Sequence, residues 1–151
     1  MSDRVLQRTL VVLSVIGIGI AGYLSYIHYR GFDPACSTGG CERVQSSEWA
    51  KLAGVPVPYL GLVGYVGILA SLFVKNELAK VATAGMAYIG FAFSMYLTYR
   101  EIFTIEAICQ WCVGSAVVMT LIAIVATIRV LRYDDSSYAP SVTSDPEHEA
   151  V

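Results

Sequence analysis

Four cysteines carry the reactive chemistry of this 151-residue sequence, and they fall into two pairs: Cys36 and Cys41 in C-S-T-G-G-C, Cys109 and Cys112 in C-Q-W-C. A C-x-x-C spacing lets two thiols close and reopen a disulfide, and a helix N-terminus beside them favours the thiolate, the attacking form. Three chemistries compete for such a set: two structural disulfides, a zinc site made of four thiolates, or a redox relay. A structural disulfide across C-x-x-C closes too short a loop to restrict the unfolded chain much. C-x4-C followed by C-x2-C fits the usual zinc spacings only loosely. A relay needs two exchangeable pairs on one face, because exchange passes through a mixed disulfide between a thiolate and a target sulfur.

The elements that must position these pairs are read from the charges. The chain is 56% hydrophobic and only 15% charged, against about 25% charged in an average soluble domain. Four stretches hold no Lys, Arg, Asp or Glu: Thr9 to Tyr29, Leu52 to Val74, Val81 to Tyr99 and Ala107 to Ile128, each 19 to 23 residues long. A helix needs about 20 apolar residues to cross a bilayer, and in lipid its backbone groups must pair within their own segment. The fold class expected is therefore an all-α integral membrane protein, a bundle of four transmembrane helices over about 9–29, 56–74, 81–99 and 109–130. The first apolar run is longer than the core of a cleaved leader and has no small-residue cleavage pattern after it, so it reads as a retained span. Residues 1–133 form the membrane domain on this reading. Residues 134–151, DDSSYAPSVTSDPEHEAV, carry five acids and no Lys or Arg and read as a disordered cytoplasmic tail. Setting those five acids aside moves the formal charge from −2 to +3, so the acidic pI says little about the membrane domain. No repeat and no nucleic-acid footprint is visible.

With both termini inside, Arg4, Arg8, Lys75, Lys80, Arg129 and Arg132 fall on the cytoplasmic side and Arg30, Arg43, Lys51 and Arg100 on the outer side. The bias favours a plasma-membrane protein with cytoplasmic N- and C-termini. An even number of spans separates the loop pair from the C-x-x-C pair, so all four cysteines face one side. With this orientation it is the outer face, where disulfides persist. The relay then needs a terminal acceptor. His28 and His148 are the only histidines and no haem or iron–sulfur pattern is present; His28 reads as an interfacial side chain and His148 lies in the acidic tail. A lipid-soluble two-electron carrier reaching a dithiol at the bilayer surface fits the gap, and a quinone of the menaquinone or ubiquinone type has that chemistry. No metal is expected.

Between the first pair and the second span lies CERVQSSEWAKLAGVPVPYLG. Ser46 and Ser47 are good N-caps, and Trp49, Leu52 and Ala53 at i, i+3 and i+4 predict a short helix with one apolar side, ended by Gly54, Pro56 and Pro58. Such a capping helix in the first outer loop, with Trp49 at headgroup level, would lid the bundle mouth.

The order of a spaced cysteine pair, then C-E-R-V-Q-S-S-E-W, then a C-x-x-C opening the fourth helix resembles the vitamin K epoxide reductase family, in particular its prokaryotic quinone-linked homologues. The resemblance covers residues from about 9 to 132, with Cys41, Arg43, Val44, Ser46, Ser47, Trp49, Cys109 and Cys112 at matching positions. It implies that Cys36 exchanges with a dithiol partner, that Cys41 attacks Cys109, and that the freed Cys112 reduces the quinone. Ser47 matches a loop serine that supports the active site, and Trp49 and Tyr65 match positions near the quinone. The catalytic set implied is thus Cys36, Cys41, Cys109, Cys112 and Ser47, and the quinone-binding set Cys112, Ser47, Trp49 and Tyr65. Animal members hold a naphthoquinone with an Asn that would align with Val57 and a Tyr that would align with Ala116, and neither residue here can hydrogen-bond a carbonyl. Some prokaryotic relatives fuse a thioredoxin-like domain; this chain ends in a polar tail, so a separate thioredoxin-fold (DsbA-like) protein is the expected donor. Two rival readings are a DsbB-like thiol oxidase, in which the two pairs come in the opposite order, and a non-enzymatic membrane protein with a four-cysteine zinc or disulfide clasp.

Overall fold

The computed structural model describes residues 3–137. In chain order the elements are α1 (Asp3–Arg30), α2 (Cys41–Ser46), a 3-10 turn (Glu48–Ala50), β1 (Lys51–Leu52), β2 (Val55–Pro56), α3 (Val57–Phe73), α4 (Glu77–Arg100), a π turn (Glu101–Ile105) and α5 (Gln110–Ser137). Helix α1 packs between α3 and α5, and α4 closes the ring by touching both of those as well. The core is threaded through that ring: Leu10 and Ala21 of α1, Tyr65, Ile68 and Leu72 of α3, Ala84 and Ala87 of α4, and Val118, Met119, Ile122, Ala123 and Ala126 of α5. The alanines bring α4 and α5 close, as small residues do where helices associate in lipid.

Among the described residues, α1, α4 with its π turn, and α5 from Gln110 to Arg132 are long and apolar enough to cross a membrane, and α3 is a shorter apolar helix. The helices outrun the uncharged gaps because charges sit at their ends: Asp3 and Arg30 on α1, Glu77 and Arg100 on α4. Helix α5 stays helical as far as Ser137, past the point where the acidic tail is expected to begin; the rest of that expected tail, residues 138–151, lies outside the described residues.

The segment before α3 departs from expectation. Where the end of the capping helix was expected, Lys51 pairs with Pro56 and Leu52 with Val55 in a small hairpin. Ala53 and Gly54 both have positive φ, 52° and 84°, which is the turn geometry that matches the twist of two antiparallel strands. The predicted helix carrying Trp49, Leu52 and Ala53 on one side is therefore absent. A one-and-a-half-turn helix forms earlier, at Cys41–Ser46, with Cys41 and Val44 as its buried face, and Trp49 rides on the 3-10 turn that follows. Pro58 in the first turn of α3 gives that helix a preset start.

The bundle end away from the cysteines is stitched by polar bonds. Gln7 donates to the Leu72 carbonyl at 2.8 Å, Arg129 pairs with Asp3 at 3.0 Å, and the Asn76 side chain caps α4 by accepting from the Ala79 N–H at 2.8 Å. These fix the relative heights of the four helices.

Candidate active site

All four cysteines meet at one end of the bundle. Cys41, at the first position of α2, and Cys109, immediately before α5, are both fully buried and share a cluster with Val44 and Ile105; Cys36, Trp111 and Cys112 pack against it. Cys36 and Cys41 are joined by a disulfide, while Cys109 and Cys112 are free thiols. The loop pair is oxidised and the helix pair reduced.

The contact between the pairs depends on a glycine. A Cβ on Gly40 would lie 2.6 Å from the Ile108 carbonyl oxygen and 2.9 Å from the Ile108 nitrogen, so only glycine lets the Cys41 backbone rest against the strand of chain that leads into Cys109. Side chains complete the attachment. Thr38 donates to the Ile108 carbonyl at 2.9 Å, and the Ser37 N–H donates to Gln110 Oε1 at 3.2 Å. Gln110 Nε2 and Trp111 Nε1 both donate to the Ala35 carbonyl, at 3.3 and 2.8 Å. The two residues inside C-Q-W-C thus clasp the loop that carries Cys36. That loop stays outward: Cys36 is half-buried and its sulfur sits 3.1 Å from the Thr38 hydroxyl.

The start of α5 distinguishes the two thiols of the helix pair. Cys109 lies one residue before the apolar span Gln110–Arg132, in the capping position. Its thiol is held down to about 7, first by the hydrogen bond from the Cys112 thiol and then by the N–H groups of Cys112 and Trp111, which together outweigh burial and the Glu101 carboxylate. The helix end was expected to favour the thiolate in both; the lowering falls on Cys109, which precedes the first helical residue.

Glu101 closes the site from below. It is buried at 4% exposure, accepts the Cys109 N–H at 3.2 Å and lines the same cavity as Cys112. The π turn exists around it: the Glu101 carbonyl accepts the N–H groups of Glu106 and, at 3.2 Å, of Ala107, and Glu106 takes the left-handed conformation at φ 52°. Wide turns of this kind re-aim the chain at functional sites; here the turn brings Cys109 back over the end of α4.

Below Cys112 opens a cavity of about 410 Å³, walled by all four long helices and roofed by α2 and the 3-10 turn. Cys112, Ser47, Trp49 and Tyr65 all line it, together with Gln45, Val57, Phe93, Glu101 and Ser115. Ser47 ends α2, and its hydroxyl donates to the Val44 carbonyl at 2.7 Å. It is at the same time the N-cap residue of the 3-10 turn, as expected of its type, although its hydroxyl makes no capping bond there. The Trp49 ring lies under the Arg100 guanidinium at 3.9 Å, which ties the roof to the end of α4. Tyr65 is 1% exposed, donates to the Ser115 carbonyl at 3.0 Å and packs its ring on the bare backbone of Gly17. Of the two positions that depart from animal members, Val57 lines the cavity, whereas Ala116 is buried in α5 and is not among the lining residues.

The model of the vitamin K epoxide reductase family matches residues 8–127, which takes in every residue of this arrangement. The chain belongs to the vitamin K epoxide reductase family. Membership makes it a membrane redox protein of the thiol–quinone class. The cavity lining includes the aromatic side chains of Trp49 and Phe93 and the free thiol of Cys112. Among the described residues no group of three or more His, Cys, Asp or Glu is placed to hold a metal.

Sequence reasoning on this family member located the four sulfurs and missed the groups that arrange them: Gly40, Gln45, Arg100, Glu101, Gln110 and Trp111. Gln45 points Nε2 at the Cys112 sulfur across 3.9 Å. Glu101 reads as a solvated flank because it follows Arg100 at the end of an uncharged run; the available signal was its position eight residues before Cys109.

Proposed function

We propose that this protein oxidises a thioredoxin-fold, DsbA-like partner and passes the two electrons through its cysteine pairs to a membrane quinone of the menaquinone or ubiquinone type, so that disulfides form outside the cytoplasm. The single observation that carries the reading is the stacking of the pairs: Cys41 and Cys109 are fully buried in one cluster directly above a cavity that Cys112 lines. The sulfurs are thus ordered from the outward loop, through the shared cluster, to the cavity. Cys36, on the outward loop, is the thiol a protein partner can reach. Attack there opens the Cys36–Cys41 bond and frees Cys41. Cys41 then attacks Cys109 in the oxidised helix pair, and Cys112 leaves as the thiol facing the cavity. The partner's second thiol displaces Cys36 from the partner–Cys36 bond, and Cys36 recloses on Cys41 and releases Cys109, so that Cys109 and Cys112 carry the two electrons as a dithiol. A bound quinone supplies a two-electron, two-proton acceptor. Cys112, Ser47, Trp49 and Tyr65 hold and orient it, and the roof excludes water from the thiols.

The same reading takes α3 as the fourth span. Its 17 residues rise about 26 Å, a little short of a hydrocarbon core of about 30 Å, and the hairpin before it would sit in the headgroup layer with Trp49. Both termini are then cytoplasmic and the cysteines face outward. The test is quinol formation by the purified protein with a thioredoxin-fold dithiol donor and, in turn, menaquinone and ubiquinone analogues. Turnover that requires all four cysteines supports the proposal; no quinol with any analogue would overturn it.

A further inference from the structure

Among the described residues Glu101 is the one buried carboxyl at the site, and the relay of sulfurs gives it no task. Lysines and arginines do not pair with it among the described residues: the adjacent Arg100 is engaged over Trp49 at 3.9 Å and bonds the Tyr96 hydroxyl at 3.2 Å. The titratable groups that face it are the Cys109 and Cys112 thiols at the head of α5. Gln45 of α2, which reaches the Cys112 sulfur, is neutral, and Tyr65 of α3 is turned to Ser115. A buried carboxyl kept without a cation is costly, and two features show that this one is held in place deliberately: the π turn wraps its own carbonyl, and its side chain bonds Cys109 N–H while lining the same cavity as Cys112.

We propose that Glu101 is the proton carrier of the site, taking the proton from the Cys112 thiol as the helix disulfide closes and releasing it into the cavity. The inference rests on the quinone reading above. With Cys109 as thiolate and Cys112 as thiol, forming the Cys109–Cys112 bond releases two electrons and one proton. A quinone becoming quinol takes up two electrons and two protons. Glu101 accounts for the first proton, and water at the outer surface supplies the second. The Cys112 thiol and the Glu101 carboxyl line one cavity, so no sulfur has to lose its proton to bulk water through the roof.

Glu101→Gln separates this role from a structural one, because an amide oxygen still accepts the Cys109 N–H and fills nearly the same volume but cannot take a proton. Reduced protein is mixed with a short-chain quinone and single-turnover quinol formation is followed across the neutral pH range. The variant is expected to be about 10²-fold slower or more with its pH dependence flattened, while reduction of Cys36–Cys41 by a small dithiol stays at the wild-type rate. A second readout needs no quinone: the infrared difference spectrum between dithiol-reduced and reoxidised protein should contain a carboxyl band that Glu101→Gln removes. If that variant does not fold, Glu101→Asp decides the matter by shifting the same band. Wild-type rate and pH profile in Glu101→Gln, or a carboxyl band unchanged by either substitution, would overturn the proposal. A wild-type protein that forms no quinol would instead count against the quinone reading, and the infrared band would still decide the role of Glu101.

Discussion

Replacing Gly40 by alanine should uncouple the two cysteine pairs without altering a sulfur. Gly40 has φ −96° and ψ −10°, an ordinary conformation for any residue, so alanine brings no backbone penalty. Its Cβ, however, would meet the Ile108 carbonyl oxygen at 2.6 Å, where ordinary contact begins near 3.4 Å. The obstacle is backbone and cannot rotate away, so the start of α2 must retreat by roughly 0.8 Å and carry Cys41 with it. Misplacing a reacting group by about 1 Å costs on the order of 10²-fold in rate, and relief of the overlap costs about 1–3 kcal/mol of stability. The assay reduces Cys36–Cys41 with a small dithiol and follows the arrival of electrons at Cys109–Cys112 by acid quench and mass-tagging of free thiols. Transfer should slow about 10²-fold while reduction of the loop disulfide is unchanged. Gly19→Ala, where a Cβ meets nothing within 4 Å, is the control. Wild-type transfer in Gly40→Ala would refute the idea that this contact sets the distance between the pairs.

Three further outcomes follow from particular contacts. Gly17→Ala places a Cβ inside the Tyr65 ring and should lower stability by about 1–3 kcal/mol, read as a fall in Tm; an unchanged Tm would refute that packing. Thiolate absorbance of the reduced protein should rise with a midpoint at pH about 7 from Cys109, and Cys112→Ala should move it upward by removing the strongest of its hydrogen bonds. Because the folded value is depressed, the stabilisation is present above the ordinary thiol value of about 8.5 and is lost as pH falls through about 7; a reduced protein that gains stability on acidification through that window would contradict the capping geometry. Cys36→Ala should lose exchange with a protein donor yet remain reducible by a small dithiol, and equal loss with both donors would remove Cys36 as the outward thiol.

Much of this architecture was legible in the sequence, for identifiable reasons. Uncharged gaps locate helices because a charge in lipid is expensive, and α1, α4 and α5 follow them. Within the second gap the left-handed pair Ala53-Gly54 commits Leu52 to Pro56 to a hairpin that the apolar pattern does not announce, while α3 runs from Val57. The capping element was placed too late because Trp49 dominated the apolar pattern, whereas the helix that forms buries Cys41 and Val44 at i and i+3. Cysteine spacing gave the pairs, and the even number of spans between them gave their common end of the bundle. Spacing could not give Glu101, whose burial arises only once the π turn folds Cys109 back over it, nor which of the two thiols sits at the α5 cap, which depends on the helix beginning at Gln110.

The central claim is that electrons pass from Cys41 to Cys109 and leave through Cys112. Cys112→Ala under turnover conditions tests it most directly, with peptide mapping of the disulfides. Cys41 and Cys109 already share one buried cluster, so removing the leaving thiol should trap a Cys41–Cys109 bond and abolish quinol formation. Wild-type quinol formation in that variant, or the loop remaining wholly Cys36–Cys41 with no Cys41–Cys109 bond, would contradict the account.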